Sequence, residues 1–596
     1  MRKPQKSLSR TQSSKTLSVS APVGGWNARD PLAEMPTTDA VLLDNFFCTP
    51  YDVKVRDGYS LWATGIVGTV NTLCSYSPPS GAIKLFAAAG ANIYNVSIAG
   101  AVGTADVTGF LSDKWQHTNF GTPGGNFLSL VNGSDLPLIY NGTGWGSVQG
   151  AAFNTAVTSI TSVGTLVTVT MAANHNLKTG VSVVIAGFTP AGYNGTFAIT
   201  VTGPATFTYV LASAQAVTTV TGTVTPAVNF AITGVDPSLF IHVTAFKSRL
   251  WYTERNSLRA WYLPTQSLGG VAQPVDLSAL CTRGGYLMAM GDWSLDAGYG
   301  IDDYAVFVTS EGQVIVYKGS DPASAATWSL VGVFDVGSPI GRRCLMKYAG
   351  DLTMICKDGL APMSKAMMSS RVNSQEMLTD KVQHVISDYT TLYAANFGWE
   401  IALFPQENML LLNVPTSSGT AYQLVMNTIS GAWSRFIGWN SACFELHGDL
   451  LYFGTGGGVC KAWDTHADNK TNINFEAQQS FNYFGNSGQL KQVKMLRPII
   501  STDGSAPLLL GVNVDFDTSA PGGQPTFSSA NPVPGVWDSS VWDGIFVWGG
   551  DLEIKRDWQT AFGLGYCLSA HMKGTILNTR LHWIATDYVL GLGGIL

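Results

Sequence analysis

The sequence predicts an all-β protein: a propeller-like core of four-stranded units with an inserted small β-domain and a C-terminal β-rich domain. Three observations carry that expectation. Short apolar runs of strand length are broken by Gly, Asn and Asp along most of the chain, the pattern of sandwiches, barrels and propellers. The chain has 65 Gly and abundant Thr, Ser, Val and aromatic residues but only 12% charged residues, about half the usual share, a balance that favours strands and tight turns. Comparable turns recur about every 40 to 50 residues in the better-defined half, the period of a four-stranded blade. At 596 residues the chain exceeds one hydrophobic core and divides into roughly three or four domains.

Residues 1–20 form a basic arm with Arg2, Lys3, Lys6, Arg10 and Lys15 and no acidic residue. Such a segment buries too little apolar surface to fold alone; it is a flexible tail or a candidate docking arm that orders against a neighbouring subunit or an acidic surface. Residues 21–155 make the first part of the propeller-like core. They open with turns at Gly24-Gly25-Trp26-Asn27 and Asp30-Pro31. Thr38 then reads as the N-cap of a short helix over 39–43, and a strand follows, ending at Arg56-Asp57-Gly58. Further on, an apolar strand at 138–140 runs into Asn141-Gly142-Thr143-Gly144-Trp145, a turn followed by a buried aromatic.

Residues 156–227 change texture to Thr, Val, Ala and Gly with strand-period alternation and almost no charge. They read as an inserted β-sandwich-like domain with turns at Asn194-Gly195 and Gly203-Pro204, either surface decoration or a glycan- or host-binding module. Residues 228–470 resume the core. A run at 246–252 reads as one strand, and a strand pair at 305–309 and 313–317 is joined by Glu311-Gly312. Met367, Met368, Val372, Met377, Leu378, Val382 and Ile386 fall at helical spacing, which predicts a helical excursion over 364–393. It caps blade edges or meets a neighbouring subunit.

The clearest unit is 426–463. Strands at 422–426, 432–434, 444–446 and 450–453 are separated by turns at Ser430-Gly431 and Gly448-Asp449, nearly one whole repeat. Gly454 to Gly458 lead into a strand instead of a helix, so they read as a blade turn and not a phosphate cradle. No WD or kelch signature is present, so the blades cannot be counted from sequence. The final section, 471–596, is a β-rich domain carrying Trp537 and Trp542 beside Asp538 and Asp543. The indoles of this section are expected to be buried with the N–H satisfied at a rim, and Trp26, Trp145, Trp433, Trp463, Trp537 and Trp542 are the expected structural anchors.

Chemistry-bearing motifs are missing. The net charge of −6 argues against a dedicated nucleic-acid clamp, which needs clustered cations. The eight Cys are scattered without a CxxC pair and read as small buried hydrophobes. The eight His form no HExxH, and the chain has no G-x-S-x-G elbow or Walker loop. Asp302-Asp303, and Asp449 with Asp464, either serve glycoside hydrolysis or sit in β-turns. No stretch approaches the roughly 18 apolar residues of a membrane span, and the basic N-terminus has no signal-peptide apolar region. The expectation is a protein with no catalytic residue, no cofactor and no metal.

One ordered combination of residues is informative. Gly25, Asn27, Asp30-Pro31, Leu42-Leu43, Asn45, Arg56 and Gly58 resemble, in that order, the opening of nozzle proteins of short-tailed bacteriophages. That family is also called tail tubular protein B and is related to packaged-DNA stabilisation proteins. The Trp-Asp-x-x-x-Trp-Asp stretch at 537–543 and the Asp587-Tyr588-Val589 ending are similar to the same family. The resemblance implies a structural virion protein of the tail, assembled in the host cytoplasm. Its copies, six by what the family implies, would form a ring that continues the DNA channel below an adaptor or portal. The ring would retain the packaged genome, let double-stranded DNA pass, and anchor a fibre, spike or tip protein. The alternative from the residues alone is a carbohydrate- or receptor-binding propeller, with or without glycoside hydrolase activity.

Overall fold

Turn chemistry sets the strand registers. Asn427 Oδ1 accepts from the backbone N–H of Ile429 (2.9 Å) and Ser430 (3.1 Å), and Gly431 takes φ +69°, delivering the chain into Trp433–Ile437. Asn141 Oδ1 does the same for Thr143 (3.0 Å) and Gly144 (2.8 Å), ahead of Trp145–Ser147. The shared Asn-turn-Trp pattern is therefore one mechanism used twice, the Asn side chain standing in for a backbone acceptor. Lys247 and Ser248, at φ 48° and 57°, make a two-residue turn between Phe240–Phe246 and Arg249–Glu254, so the run 246–252 is a hairpin instead of one strand.

The computed structural model describes residues 14–216, 221–296, 301–368, 374–417, 419–504, 506–522 and 552–595. Its strands build a β-propeller. Blade 1 contains residues 70–76, Lys84–Ala89, Asn92–Asn95 and Val107–Thr108, and blade 2 contains Gln116–Thr122, Gly125–Val131, Leu138–Tyr140 and Trp145–Ser147. Blade 3 contains Phe240–Phe246, Arg249–Glu254, Arg259–Tyr262 and Gln273–Asp276, and blade 4 contains Leu287–Asp296, Ile301–Thr309, Gln313–Gly319 and Trp328–Asp335. Blade 5 has three strands, Leu345–Tyr348, Asp351–Cys356 and Gly359–Pro362. Blade 6 contains Glu400–Phe404, Met409–Ser417, Thr420–Asn427 and Trp433–Ile437.

Blade 7 closes the ring. Its inner hairpin, Cys443–His447 and Leu450–Ala462, pairs outward with residues 59–64 from the far end of the chain, beside Gly100–Ala101. The first strand of each blade packs against the first strand of the next, in a cycle that returns from blade 7 to blade 1. Among the described residues the propeller thus has seven blades, and one 18-residue strand, Tyr59–Tyr76, serves both blade 7 and blade 1.

The unit 426–463 is not one repeat. Its first two strands are the outer edge of blade 6 and its last two the inner hairpin of blade 7. Gly454 to Gly458 lie inside the strand Leu450–Ala462, not in a turn. A Cβ on Gly454 would sit 2.4 Å from Val70 O, and one on Gly458 2.6 Å from Ala63 O. The glycines let this strand cross close to its partner.

Beyond blade 6 the sheet continues through Asp39–Asp44, Ile473–Gln479, Leu568–Ile576 and Leu508–Val514. A second sheet, with Phe46–Cys48, Val53–Val55, Leu581–Ile595 and Gln489–Thr502 at its centre, packs on the first around Val493, Leu496, Leu568, Ala570 and Tyr588. The C-terminal β-rich region is therefore a sandwich completed by strands from the N-terminal 55 residues, which the sequence reading assigns to the propeller and the arm. Residues 39–44 are a strand and not the expected helix. Six residues are too few to nucleate a stable helix, Thr38 Oγ1 contacts its neighbour Asp39 instead of capping, and both edges of the strand find partners.

The segment 157–226 forms two small facing sheets whose core, including Val167, Val169, Val183, Ile185 and Phe207, is continuous with that of blades 1 and 2. Among the described residues the expected helical excursion resolves into Met363–Met368 and Gln383–Tyr393 with two 3-10 turns between; Val372 lies outside the described residues. Ile386 packs with Leu360, Leu410 and Trp433 in the largest core.

Candidate functional site

The residues of the ordered N-terminal combination fall in two polar clusters, Asn45, Arg56 and Gly58 in one, where propeller meets sandwich, and Gly25, Asn27 and Asp30 in the other. Asn45, at φ +59°, accepts at Oδ1 from Arg56 Nε (2.8 Å) and Ile437 N (2.7 Å) and donates from Nδ2 to Asn474 O (2.7 Å). Arg56 is fully buried and forks onto Asp468, Nη1–Oδ1 2.7 Å and Nη2–Oδ2 2.6 Å, while Nη2 also donates to Ile437 O (2.8 Å). Its guanidinium lies over Trp439 (5.3 Å) and Phe436 (5.7 Å). Gly58 has no alternative, because a Cβ there would stand 1.9 Å from Ala467 O.

The start of the segment is tied down in the same way. Asn27 Nδ2 donates to Asp30 (2.9 Å) and Asp39 (2.8 Å), and Lys381 Nζ bonds Asp39 (3.0 Å) and Gly24 O (2.9 Å). Gly25, at φ +83°, approaches so closely that a Cβ would lie 2.6 Å from the backbone of Trp433. Arg435 and Asp44 form a bidentate pair, both bonds 2.7 Å. Burial works against the Arg435 charge, and the Asp44 pairing outweighs it, holding the guanidinium above its usual range.

The second polar concentration is on the propeller axis. Arg343, just before blade 5, donates from Nη2 to Thr72 Oγ1 (2.8 Å), Asn71 O (3.0 Å) and Trp115 O (3.2 Å), and from Nη1 to Glu400 Oε2 (3.4 Å). Glu400 Oε2 in turn accepts from Phe444 N (2.9 Å). One guanidinium thus links blades 1, 2, 5, 6 and 7. Burial pushes the Glu400 carboxyl above the usual range, against the pull of Arg343. On one side of this pin lies a chamber of about 380 Å³; on the other is one of about 470 Å³ lined by inner strands of blades 2, 3, 4, 5 and 6. His242 lines the second, its Nδ1 buried without a partner. Burial, helped by Arg342, pushes its imidazole down to about 4.

No protein-family model matches the chain, and no curated protein matches it. Among solved structures the chain is similar to BBS1N in its lead-soaked complex with ARL6DN: 11% identity over 70% of this chain and 99% of that one, TM-score 0.32. It is also similar to YCF48 bound to D1 peptide, with 8% identity over 72% of this chain and 98% of that one, TM-score 0.23. Both are β-propellers. The blade count rests on the strand pairing and not on these likenesses.

The expected anchors divide. Trp433 is 1% exposed, and its Nε1 donates to Leu378 O (3.0 Å). Trp26 donates to Val41 O (3.0 Å) beneath Arg435, 5.3 Å above its ring. Trp145 packs edge-on against Phe86, centroids 4.7 Å apart. Trp463 is only half-buried, with Lys54 Nζ 4.8 Å above it. Trp537 and Trp542 lie outside the described residues, as do Arg2, Lys3, Lys6 and Arg10. Lys15 lies in a strand, Ser14–Ser20, that pairs with Leu581–Ile595, so the last third of the supposed flexible arm is part of the sandwich.

Of the carboxylates singled out from sequence for glycoside hydrolysis, the described residues bring none together as a facing pair. Asp449 and Asp464 flank the 13-residue strand Leu450–Ala462, about 40 Å of extended chain where such enzymes need roughly 5 to 9.5 Å. Asp303 is engaged by Lys247 and Ser294. Among the described residues, no group of three or more His, Cys, Asp or Glu is placed to hold a metal. Sequence reasoning missed Arg342 and Arg343. The available signal was an adjacent Arg pair in a chain with 12% charged residues.

Proposed function

We propose that this β-propeller protein is a structural, ring-forming component of a short phage tail, a nozzle. The observation that carries the reading is that the nozzle-like residues Asn27, Asn45 and Arg56 are all buried polar ties of the N-terminal segment. Asn45 and Arg56 form one hydrogen-bonded unit with Asp468, 412 positions beyond Arg56, and Asn27 forms another with Asp30 and Asp39.

Two further features support assembly. The outer strand of blade 4, Trp328–Asp335, leaves Leu330, Val331 and Val333 exposed, and Phe562 and Leu564 are 85% and 61% exposed on Gln559–Gly565. Apolar strand faces of this kind are partner surfaces more than solvent surfaces. The propeller axis is pinned shut by Arg343, so DNA would run through the axis of a ring of copies and not through any one propeller. The mild negative charge suits a conduit, because every phosphate contact adds affinity and slows passage.

Electron microscopy of the purified full chain and of intact particles tests the reading. A closed ring, with six copies, around the tail axis is the expected result. A stable monomer with no affinity for tail components overturns it. The axial chambers favour a second reading, a ligand-binding propeller.

A further inference from the structure

We propose that the axial chamber of about 380 Å³ binds a phosphate group, free or as a small phosphate monoester, through Arg342 and Lys114. Three cations, Lys114, Arg342 and Arg343, line this chamber, and no carboxylate does. Arg343 is committed to the pin. The other two have no counter-charge: among the described residues, no carboxylate lies within 4 Å of Arg342 or Lys114. Arg342 has one long hydrogen bond, 3.5 Å to Asn132 O. Lys114 Nζ stands 4.6 Å above the Phe397 ring.

The nearby carboxylates are engaged elsewhere. Asp113 accepts from Asn71 Nδ2 (3.0 Å) and Gly90 N (2.6 Å). Asp135 holds Lys178 (3.1 Å), Asn132 Nδ2 (2.9 Å) and Leu111 N (2.8 Å). Glu400 serves Arg343. Burial and the like charge of Arg255 push the Arg342 guanidinium below its usual range, so its charge is maintained at a cost that an anion would offset. Elsewhere in this charge-poor protein Arg56 and Arg435 are matched by Asp468 and Asp44, and the buried Lys491, which forms no ion pair among the described residues, donates to three backbone carbonyls.

Phosphate fits the chamber in charge and shape. A phosphate monoester carries about −1.5 to −2 at pH 7 with three strong acceptor oxygens, and a guanidinium fork matches two of them. A second chamber of about 350 Å³ shares Lys114 and residues 395–397 and is also lined without a carboxylate. It gives room for the organic part of a monoester, within the size range of small-molecule sites.

Titration calorimetry of the full chain at low salt, with inorganic phosphate, glucose 6-phosphate, glucose and a short DNA duplex as probes, tests the inference. Saturable binding of one phosphate probe per chain, weakened about tenfold or more in both Arg342→Gln and Lys114→Gln, is the expected result. Tighter glucose 6-phosphate assigns a monoester; equal binding of inorganic phosphate assigns the free anion. Lys114 is exposed, so its variant keeps the test sound even where Arg342→Gln folds poorly. No saturable binding of either phosphate probe, binding unchanged in both variants, or binding of the duplex alone overturns the proposal.

Discussion

Arg343 and Glu400 show what a single residue contributes at the axis. Replacing Arg343 by Met removes donors to three blades and leaves Glu400 without its cation; the side chains are only 11% and 15% exposed. The expected loss is about 3 to 5 kcal/mol in urea unfolding, the cost of breaking a buried pair from one side. Arg343→Lys should recover little of it, since an ammonium cannot address acceptors spread around a planar fork.

His242 makes a pH prediction at the same scale. Its folded value of about 4 lies below the unfolded value near 6.5. Above pH 6.5 both states are neutral and its contribution is intact. As pH falls from 6.5 toward 4 the unfolded chain takes up the proton first, and stability drops by about 1.4 kcal/mol per pH unit. His175, His447 and His571 are shifted down by burial as well and add to the slope. Denaturation midpoints across this range should therefore flatten, without becoming level, in His242→Gln. Trp433 was legible as an anchor because a Trp after an Asn turn has few other places to go; the axial arginines were not, because the blade 1 and blade 2 acceptors of Arg343 lie more than 200 positions away in sequence.

At the scale of the element, the glycine run in blade 7 separates two kinds of glycine. Gly454→Ala drives a methyl group onto Val70 O and the Cys443 sulfur and should cost about 1 to 3 kcal/mol by overpacking. Gly456 has open space and no positive φ, so Gly456→Ala should be neutral or gain up to about 1 kcal/mol through the unfolded chain. Thermal melts of the pair decide whether the close strand crossing or the flexibility of the run explains the glycines. Strand identity was readable here from the apolar pattern, but the turn reading of the glycines was not correct. A glycine needed for backbone contact looks, in sequence, like a glycine needed for a turn. Residues 39–44 failed differently: the local pattern allows a short helix, and pairing with Ile473–Gln479, more than 400 positions on, decides for the strand.

The whole molecule is closed by pairings of that long-range kind, which leave no local trace. Repeating hairpins announce a propeller, yet its seventh blade exists only because residues 59–64 meet Leu450–Ala462. The sandwich exists only because N-terminal strands, Ser14–Ser20, Asp39–Asp44 and Val53–Val55, pair with C-terminal ones. Truncation at the N-terminus is therefore two experiments. Deleting residues 1–13 keeps the pairing of Ser14–Ser20 with residues 585–591 and tests the docking arm alone: lost particle assembly at unchanged melting temperature is the expected outcome if the arm docks. Deleting residues 1–20 also uncovers a seven-residue edge of Leu581–Ile595 and removes Leu17 and Val19, leaving the sandwich core they pack on exposed. An open apolar edge invites pairing with other chains. That variant should melt lower and aggregate on light scattering. Equal melting of the two deletions would show that the first strand adds nothing to the sandwich.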